Sequence, residues 1–301
     1  MKVLVCDPIA ATAVERMREA GIEVTVRDRI SAQELAAVIP AYEGLVVRSR
    51  TQVRAPLIDV ATRLKVIVRG GVGLDNIDVD HARARGITVL NTPSASSASV
   101  AELAVGYLFA LARHIPQASD SMRAGLWEKK RFRGDEIGGK TLGIVGIGRI
   151  GREVARRAAA LGMRVVAHDP YVSRVEGVDL LSLDELLACS DYITLHLPHT
   201  EETHDMIGVD EFARMKKGVR VVNCARGGVV DEEALYEALL SGRVAGAALD
   251  VYAQEPCCGH KLYALAQVIG SPHIGAATVE AQGRVGEEVT EKMIRFYREN
   301  F

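Results

Sequence analysis

At 301 residues the chain is long enough for two domains with full cores, and its 25% charged and 48% hydrophobic residues are ordinary for a globular enzyme. A formal net charge of −2 gives no general attraction to nucleic acid or to anionic lipid, so neither is expected as a partner. No apolar run approaches the ~20 residues of a membrane span, and the opening MKVLVCD has too short an apolar run for a signal peptide. From the N-terminus, short apolar runs alternate with helical patterns. Strands are expected at 3–6, 22–26, 45–47, 64–68 and 87–90. Helices are expected at 10–20, stopped by Gly21; at 32–39, capped by Ser31; after the third strand, opened by Pro56; and at 78–85, stopped by Gly86. Such alternation predicts a parallel sheet covered on both faces. No glycine turn opens a helix here, so this part holds no nucleotide.

Residues 92–99, rich in Ser, Ala and Pro, read as a first hinge leading into an apolar helix to Arg113. Residues 115–140 have no core periodicity and carry Trp127 among many charges. They read either as a solvated arm or as a dimer contact anchored by Trp127. The stretch 142–169, LGIVGIGRIGREVARRAAALGMRVVAHD, then reads as strand, glycine turn, helix, strand. Gly146 permits the tight turn, Gly148 lets backbone approach a pyrophosphate, and Gly151 lets helix and strand pack closely. The helix N-terminus offers free N–H groups to phosphate. Asp169 lies about 20 residues on, where a carboxylate takes ribose hydroxyls and repels a ribose phosphate, so NAD is expected over NADP. Further βα units follow: helices at 183–188, 210–215 and 232–240, the last capped by Asp231, and strands at 192–197, 220–223, 247–251 and 268–269. A long helix, 276–297, ends the pattern after a second hinge near Gly275. The expected fold is α/β with two doubly wound parallel sheets. Residues 1–95 plus 276–301 form one discontinuous, substrate-binding domain, and residues 96–275 form an NAD-binding domain inserted into it.

Three polar residues follow strand-like runs in the second half: Arg226, Glu255 and His273. Ligands of open parallel sheets sit at the carboxyl ends of strands. Oxidising an alcohol by hydride transfer needs a base for the hydroxyl proton, and histidine fits that task. A neighbouring carboxylate orients the imidazole and stabilises its protonated form. A guanidinium polarises a carbonyl oxygen or grips a carboxylate. In the first half Arg48 and Arg69 each follow a strand, with Arg50 a third candidate; they read either as surface arginines paired with carboxylates or as cations that suit a phosphate dianion. His196 and His199 follow another strand and read as neighbours of the cofactor, not catalysts. The cysteines Cys6, Cys189, Cys224, Cys257 and Cys258 have no metal-type spacing with His, and no metal is expected. Reduced cytoplasmic thiols are the plain expectation, with the adjacent Cys257 and Cys258 open to a redox role.

Over essentially its whole length the chain resembles the D-2-hydroxyacid dehydrogenases. The resemblance rests on the glycine turn with Asp169, RGGVGLDNID (69–78), NCARGGVVDEEAL (223–235), ALDVYAQEP (248–256) and SPHIGAAT (271–278). It implies a Rossmann NAD domain inserted into a flavodoxin-like substrate domain, and a homodimer through the NAD domain. It makes His273 the acid/base, Glu255 its partner and Arg226 the substrate-binding, polarising arginine. It makes the N–H groups around Val72 and Gly73 the grip on the substrate carboxylate. Arg149, Ile150, Pro198, Cys224, Ala225, Asp250 and Gly275 join Gly146, Gly148, Gly151 and Asp169 around the cofactor. Within the family VRSRT (47–51), WEKKRF (127–132) and KKGVRVVNCARGG (216–228) look most like the members that oxidise D-3-phosphoglycerate at C2, which open serine biosynthesis. The nearest alternative is an unphosphorylated acid such as glyoxylate, hydroxypyruvate or D-lactate. A more distant one is an NAD-sensing corepressor. With the chain ending at Phe301, a C-terminal regulatory domain and serine feedback are not expected. Cys257-Cys258-Gly259-His260 departs from the proline-rich loop usual after the Glu-Pro pair, which bears on the loop around Glu255.

Overall fold

The computed structural model describes residues 1–301. The chain divides into two compact units, Met1–Ser96 with Ala276–Phe301, and Ser97–Gly275. Each carries its own parallel sheet.

In the first unit the strands are β1 (Lys2–Val5), β2 (Glu23–Val26), β3 (Gly44–Val47), β4 (Val66–Arg69) and β5 (Thr88–Asn91), in the order β2-β1-β3-β4-β5. This is the flavodoxin-like arrangement, which reverses direction at its second strand in space. Alternation along β1 decides which side each residue faces. Val3 and Val5 pack with Met17, Val289 and Met293 on one face, while Leu4 and Cys6 pack with Leu35, Ile39 and Ile58 on the other. Both faces are therefore apolar, as an internal parallel strand requires. The helices are α1 (Ala11–Glu19), α2 (Ala32–Val38), α3 (Ala55–Val60) and α4 (Val79–Ala84). Ser31 caps α2 through a full capping box with Glu34. The C-terminal helix Val279–Asn300 belongs to the same unit, begins at a Thr278 cap, and packs against α1 and β4.

In the second unit, helices α5 (Ser97–Arg113) and α6 (Ile115–Arg123) precede strand β6 (Thr141–Val145). Then come α7 (Arg149–Ala160), β7 (Arg164–His168), β8 (Asp179–Leu180), α8 (Leu183–Cys189), β9 (Tyr192–Leu195) and α9 (Val209–Arg214). The unit closes with β10 (Val219–Asn223), α10 (Glu232–Leu240), β11 (Val244–Leu249) and β12 (Val268–Gly270), and α11 names the C-terminal helix of the first unit. The seven strands run in the order β12-β11-β10-β9-β6-β7-β8. Outward from β6 this is the Rossmann arrangement, with its switch point between β6 and β9 and one added strand at β12. Both α/β sheets are as the alternating pattern predicts.

Several local expectations are corrected. The hinge expected at 92–99 is shorter, because Ser97 and Ser99 are already helical and buried in α5. The segment after Arg113 shows no core periodicity, yet residues 115–123 form α6. Its only buried residue is Ser121, so no apolar stripe announces it. His114, in the left-handed region at φ 53°, bends the chain by 65° between α5 and α6. Trp127, beyond α6, is 80% exposed. The two-residue edge strand β8 and the 3-10 helix Lys261–Ala264 are also absent from the sequence expectation, being too short to carry a period. No single helix is long and apolar enough to cross a membrane.

The carboxyl ends of β1 and β3 are tied by one side chain. Asp7, 1% exposed, accepts from Arg48 N at 2.6 Å, Thr51 N at 3.3 Å, Thr51 Oγ1 at 3.0 Å and Arg50 Nε at 3.0 Å. From the opposite side Asn76 Nδ2 donates to Arg48 O at 2.8 Å and Thr51 O at 2.6 Å. The loop 48–51 is thus held at both its N–H and its C=O groups. Asp7→Ala strands these buried donors without an acceptor and is expected to destabilise the chain by about 3 kcal/mol in urea unfolding. A change below about 0.5 kcal/mol, the size of an ordinary surface substitution, contradicts that account.

Candidate active site

The glycine turn follows β6 directly. Gly146 has φ +91° and donates its N–H to His168 O at 2.8 Å; a Cβ there would lie 2.5 Å from His196 O. A Cβ on Gly151 would lie 2.2 Å from Gly146 O, so the first turn of α7 sits against the turn backbone only because position 151 has no side chain. Gly148 faces open space and is the N-cap of α7, with no side chain capping it. The first N–H groups of α7, including those of Arg149, Ile150 and Gly151, therefore lie at an uncapped helix end suited to an anion. Asp169 follows β7. Its Oδ2 accepts from Ile147 N at 3.0 Å and its Oδ1 from Tyr171 N at 3.0 Å, which fixes the carboxylate beside the glycine turn. An open glycine at an uncapped helix end, with a carboxylate locked next to it, fits a dinucleotide's pyrophosphate and ribose.

Other residues named for the cofactor lie after β9, β10, β11 and β12. Pro198 O accepts from Thr203 Oγ1 at 2.7 Å, and Ala225 N donates to Asn223 Oδ1 at 3.0 Å. Burial pushes the Cys224 thiol well above its ordinary pKa, which disfavours its thiolate. Burial likewise pushes His196 down to about 3. Its Nε2 pairs with Thr194 Oγ1 at 2.9 Å, while its buried Nδ1 has no hydrogen-bond partner. His199 is exposed and pairs with His204 at 3.1 Å.

Arg226, Glu255 and His273 follow β10, β11 and β12, three strands adjacent in the sheet. The fold thereby brings together residues far apart in sequence. His273 Nδ1 lies 2.8 Å from Glu255 Oε2. A carboxylate only accepts, so Nδ1 carries the proton and the neutral ring keeps its lone pair on Nε2. Glu255 Oε1 accepts from Tyr252 N at 3.1 Å. Burial raises the Glu255 pKa, but the bond and charge of His273, the Tyr252 N–H and the charge of Arg226 outweigh it and hold the carboxyl below its ordinary value. Its charged form therefore stabilises the fold above the ordinary carboxylate range, and that contribution is lost only as pH falls through the depressed value. Arg226 Nη1 donates to Ala225 O at 2.6 Å, and Arg226 O accepts from Asn223 Nδ2 at 3.0 Å.

His273 itself sits in the left-handed region, at φ 54°. Such a conformation costs about 1–3 kcal/mol and persists only where the surroundings impose it. Here Asp250, 2% exposed, accepts from Ile274 N and Gly275 N, each at 2.8 Å, and also from Ser271 Oγ. One buried carboxylate thus grips the chain on both sides of His273.

In the first unit Arg48 has its backbone fixed by Asp7, and its guanidinium donates to Pro8 O at 3.4 Å and to Gln282 Oε1. Burial lowers its pKa against the attraction of Asp7. Arg69 ends β4, and its guanidinium folds back over Gly71, where a Cβ would lie 1.7 Å from Nη1. Val72 and Gly73 follow in the same loop, and Val72 O accepts from Asn91 Nδ2 at 2.5 Å. Arg50, the third candidate, pairs its Nε with Asp7 and donates Nη2 to Cys6 O at 2.7 Å, so part of its guanidinium is engaged by its own loop while the side chain remains about half exposed. Sequence reasoning missed Asp7, Asn76 and Ser271. For Asp7 the available signal was a carboxylate directly after an apolar strand.

The chain is similar to known proteins along nearly its whole length. The family description "D-isomer specific 2-hydroxyacid dehydrogenase, NAD binding domain" matches residues 105–275. D-3-phosphoglycerate dehydrogenase of Archaeoglobus fulgidus is 50% identical across 98% of this chain and 57% of its own length. Hydroxypyruvate reductase of Thermotoga maritima is 48% identical across 98% of this chain and 97% of its own. The crystal structure of the TT0316 protein from Thermus thermophilus superposes with a TM-score of 0.92 at 38% identity, covering 99% of this chain and 97% of that one. The chain spans little more than half the length of the phosphoglycerate dehydrogenases it matches.

Gly151→Ala would set a methyl group against backbone, which cannot rotate away as a side chain can. NADH affinity, read by fluorescence titration, is expected to weaken at least about tenfold. Unchanged affinity contradicts the placing of the pyrophosphate at this turn.

Proposed function

The chain belongs to the D-isomer-specific 2-hydroxyacid dehydrogenase family, and we propose that it oxidises D-3-phosphoglycerate at C2 to 3-phosphohydroxypyruvate, reversibly, as the first step of serine biosynthesis. The observation that carries the chemistry is the bond between His273 Nδ1 and Glu255 Oε2, which leaves Nε2 as an acceptor. Bound NAD supplies the hydride acceptor. His273 Nε2 takes the C2 hydroxyl proton, and Glu255 stabilises the imidazolium that results. Arg226 binds the C2 oxygen and draws charge onto it as it becomes a carbonyl. The N–H groups of Val72 and Gly73 take the substrate carboxylate, and Arg48 and Arg69 take the phosphate. Support for the phosphate comes from the two arginines and from the naming of the 50%-identical relative.

The second reading, reduction of an unphosphorylated acid, is favoured by a specific observation: the hydroxypyruvate reductase of Thermotoga maritima matches along nearly its whole length. An NAD-sensing corepressor is disfavoured by the retained Arg226, Glu255 and His273 set. With five free thiols, we place the enzyme in the cytoplasm, as a homodimer through the NAD domain.

Specificity constants for D-3-phosphoglycerate, D-lactate, hydroxypyruvate and glyoxylate decide between the first two readings. Arg48→Ala is expected to raise KM for the phosphorylated acid about tenfold or more and to leave plain acids nearly unaffected. A preference for hydroxypyruvate that survives Arg48→Ala establishes the second reading. His273→Asn is expected to lower kcat about a thousandfold with NADH affinity within about twofold, and unchanged turnover refutes its assignment as the base.

A further inference from the structure

Glu255 stands on an irregular turn, residues 251–260, between β11 and the 3-10 helix Lys261–Ala264. Both ends of that turn are fastened to one side chain on α10. Glu232 Oε1 accepts from Ala253 N at 2.8 Å, two residues before Glu255. Glu232 Oε2 lies 3.1 Å from His260 Nε2, five residues after it. His260 Nδ1 accepts the N–H of Leu262 at 3.4 Å, so in the neutral ring Nε2, the nitrogen facing Glu232, carries the proton and makes an electrostatic contact with the carboxylate. The Glu232 side chain is only 17% exposed, so water competes weakly for either bond. The base beneath is rigid. Asp231 caps α10 through Glu233 N and Ala234 N, and Ala234, Leu235, Ala238 and Leu239 bury its inner face. A second tie, Lys261 with Glu233, anchors the same end of the turn.

We propose that Glu232 is a positioning residue for the acid/base pair: its single carboxylate fastens both ends of the 253–260 turn and so holds Glu255 against His273. This rests on the roles of His273 and Glu255 given above. Glu232 touches neither, so it acts on chemistry only through the turn. An alternative with no bearing on chemistry is that a carboxylate in the first turn of α10 steadies the helix. That alternative predicts a change in stability but none specific to Glu255.

The test compares the wild-type holoenzyme with Glu232→Gln, Glu232→Ala, Glu255→Gln and the double variant Glu232→Ala/Glu255→Gln. A glutamine keeps an acceptor for Ala253 N but loses the second acceptor facing His260. kcat is expected to fall about fivefold in Glu232→Gln and about thirtyfold in Glu232→Ala, with KM and NADH affinity within about twofold. In the Glu255→Gln background the loss from Glu232→Ala should shrink to under about twofold, because the residue it acts through is already disabled. A readout independent of substrate is the NMR titration of the His273 ring, assigned by its loss in His273→Asn. Glu232→Ala should displace that titration in the same direction as Glu255→Gln. If no 2-hydroxy acid is turned over, the proposed function fails, and the titration still judges Glu232. Equal losses in both backgrounds, or a His273 titration unmoved by Glu232→Ala, overturn the proposal.

Discussion

The bond from His273 Nδ1 to Glu255 Oε2 is what the loops of the second unit are built to keep. It fixes the tautomer, and the tautomer decides whether Nε2 accepts a proton or already holds one. Neither partner lies in regular structure, so neither is held by a helix or a sheet ladder. Each is held by a carboxylate instead. Asp250 grips residues 271, 274 and 275 around His273, and Glu232 grips 253 and 260 around Glu255. The left-handed backbone at His273 is the strained part, and the bonds to Asp250 offset it.

Strand order explains why these residues meet at all. β10, β11 and β12 are neighbours and parallel, so their carboxyl ends, and the loops leaving them, lie side by side. On the other side of the switch point, β6 and β7 bring the glycine turn beside Asp169 in the same manner. One sheet edge thus carries both the glycine turn beside Asp169 and the His273–Glu255 pair. The first unit, with its flavodoxin-like order, likewise places Arg48 just after β3 and Arg69 at the end of the adjacent strand β4.

Much of this was legible in the residues. The glycine turn and Asp169 were, because Gly146 and Gly151 each answer a steric demand that no other residue meets, while Gly148 leaves the helix end open. The helix caps Ser31 and Asp231 were, because capping uses a short local pattern. Arg226, Glu255 and His273 stand out by their places after strands, but their meeting is a long-range fact that only strand order supplies. What escaped has physical reasons too. α6 buries one serine and so has no apolar stripe, and β8 has two residues and no period. Arg50 looks as available as Arg48 in the sequence, because pairing with a buried carboxylate 43 positions away leaves no local trace. Glu232 looks like one more acid in a helix's first turn.

Asp7, Asp169 and Asp250 do one job in three places. Each stands just past the end of a strand, and each accepts N–H groups from the loop that leaves the neighbouring strand: Arg48 and Thr51 after β3, Ile147 after β6, Ile274 and Gly275 after β12. The cause lies in the parallel sheet. At its carboxyl edge the ladder stops, and the first N–H groups of each departing loop lose their strand partners. Water satisfies such groups on an open surface, but it would leave the loop mobile and would compete with a ligand. A carboxylate presents two oxygens with several lone pairs and takes two or three N–H groups at once. Asn223 does a smaller version within its own loop, accepting from Ala225 N and donating to Arg226 O. Rigid loops at the carboxyl edge are what a binding site of this architecture requires, and in this chain side-chain carboxylates on neighbouring strands supply the rigidity that the backbone ladder no longer can.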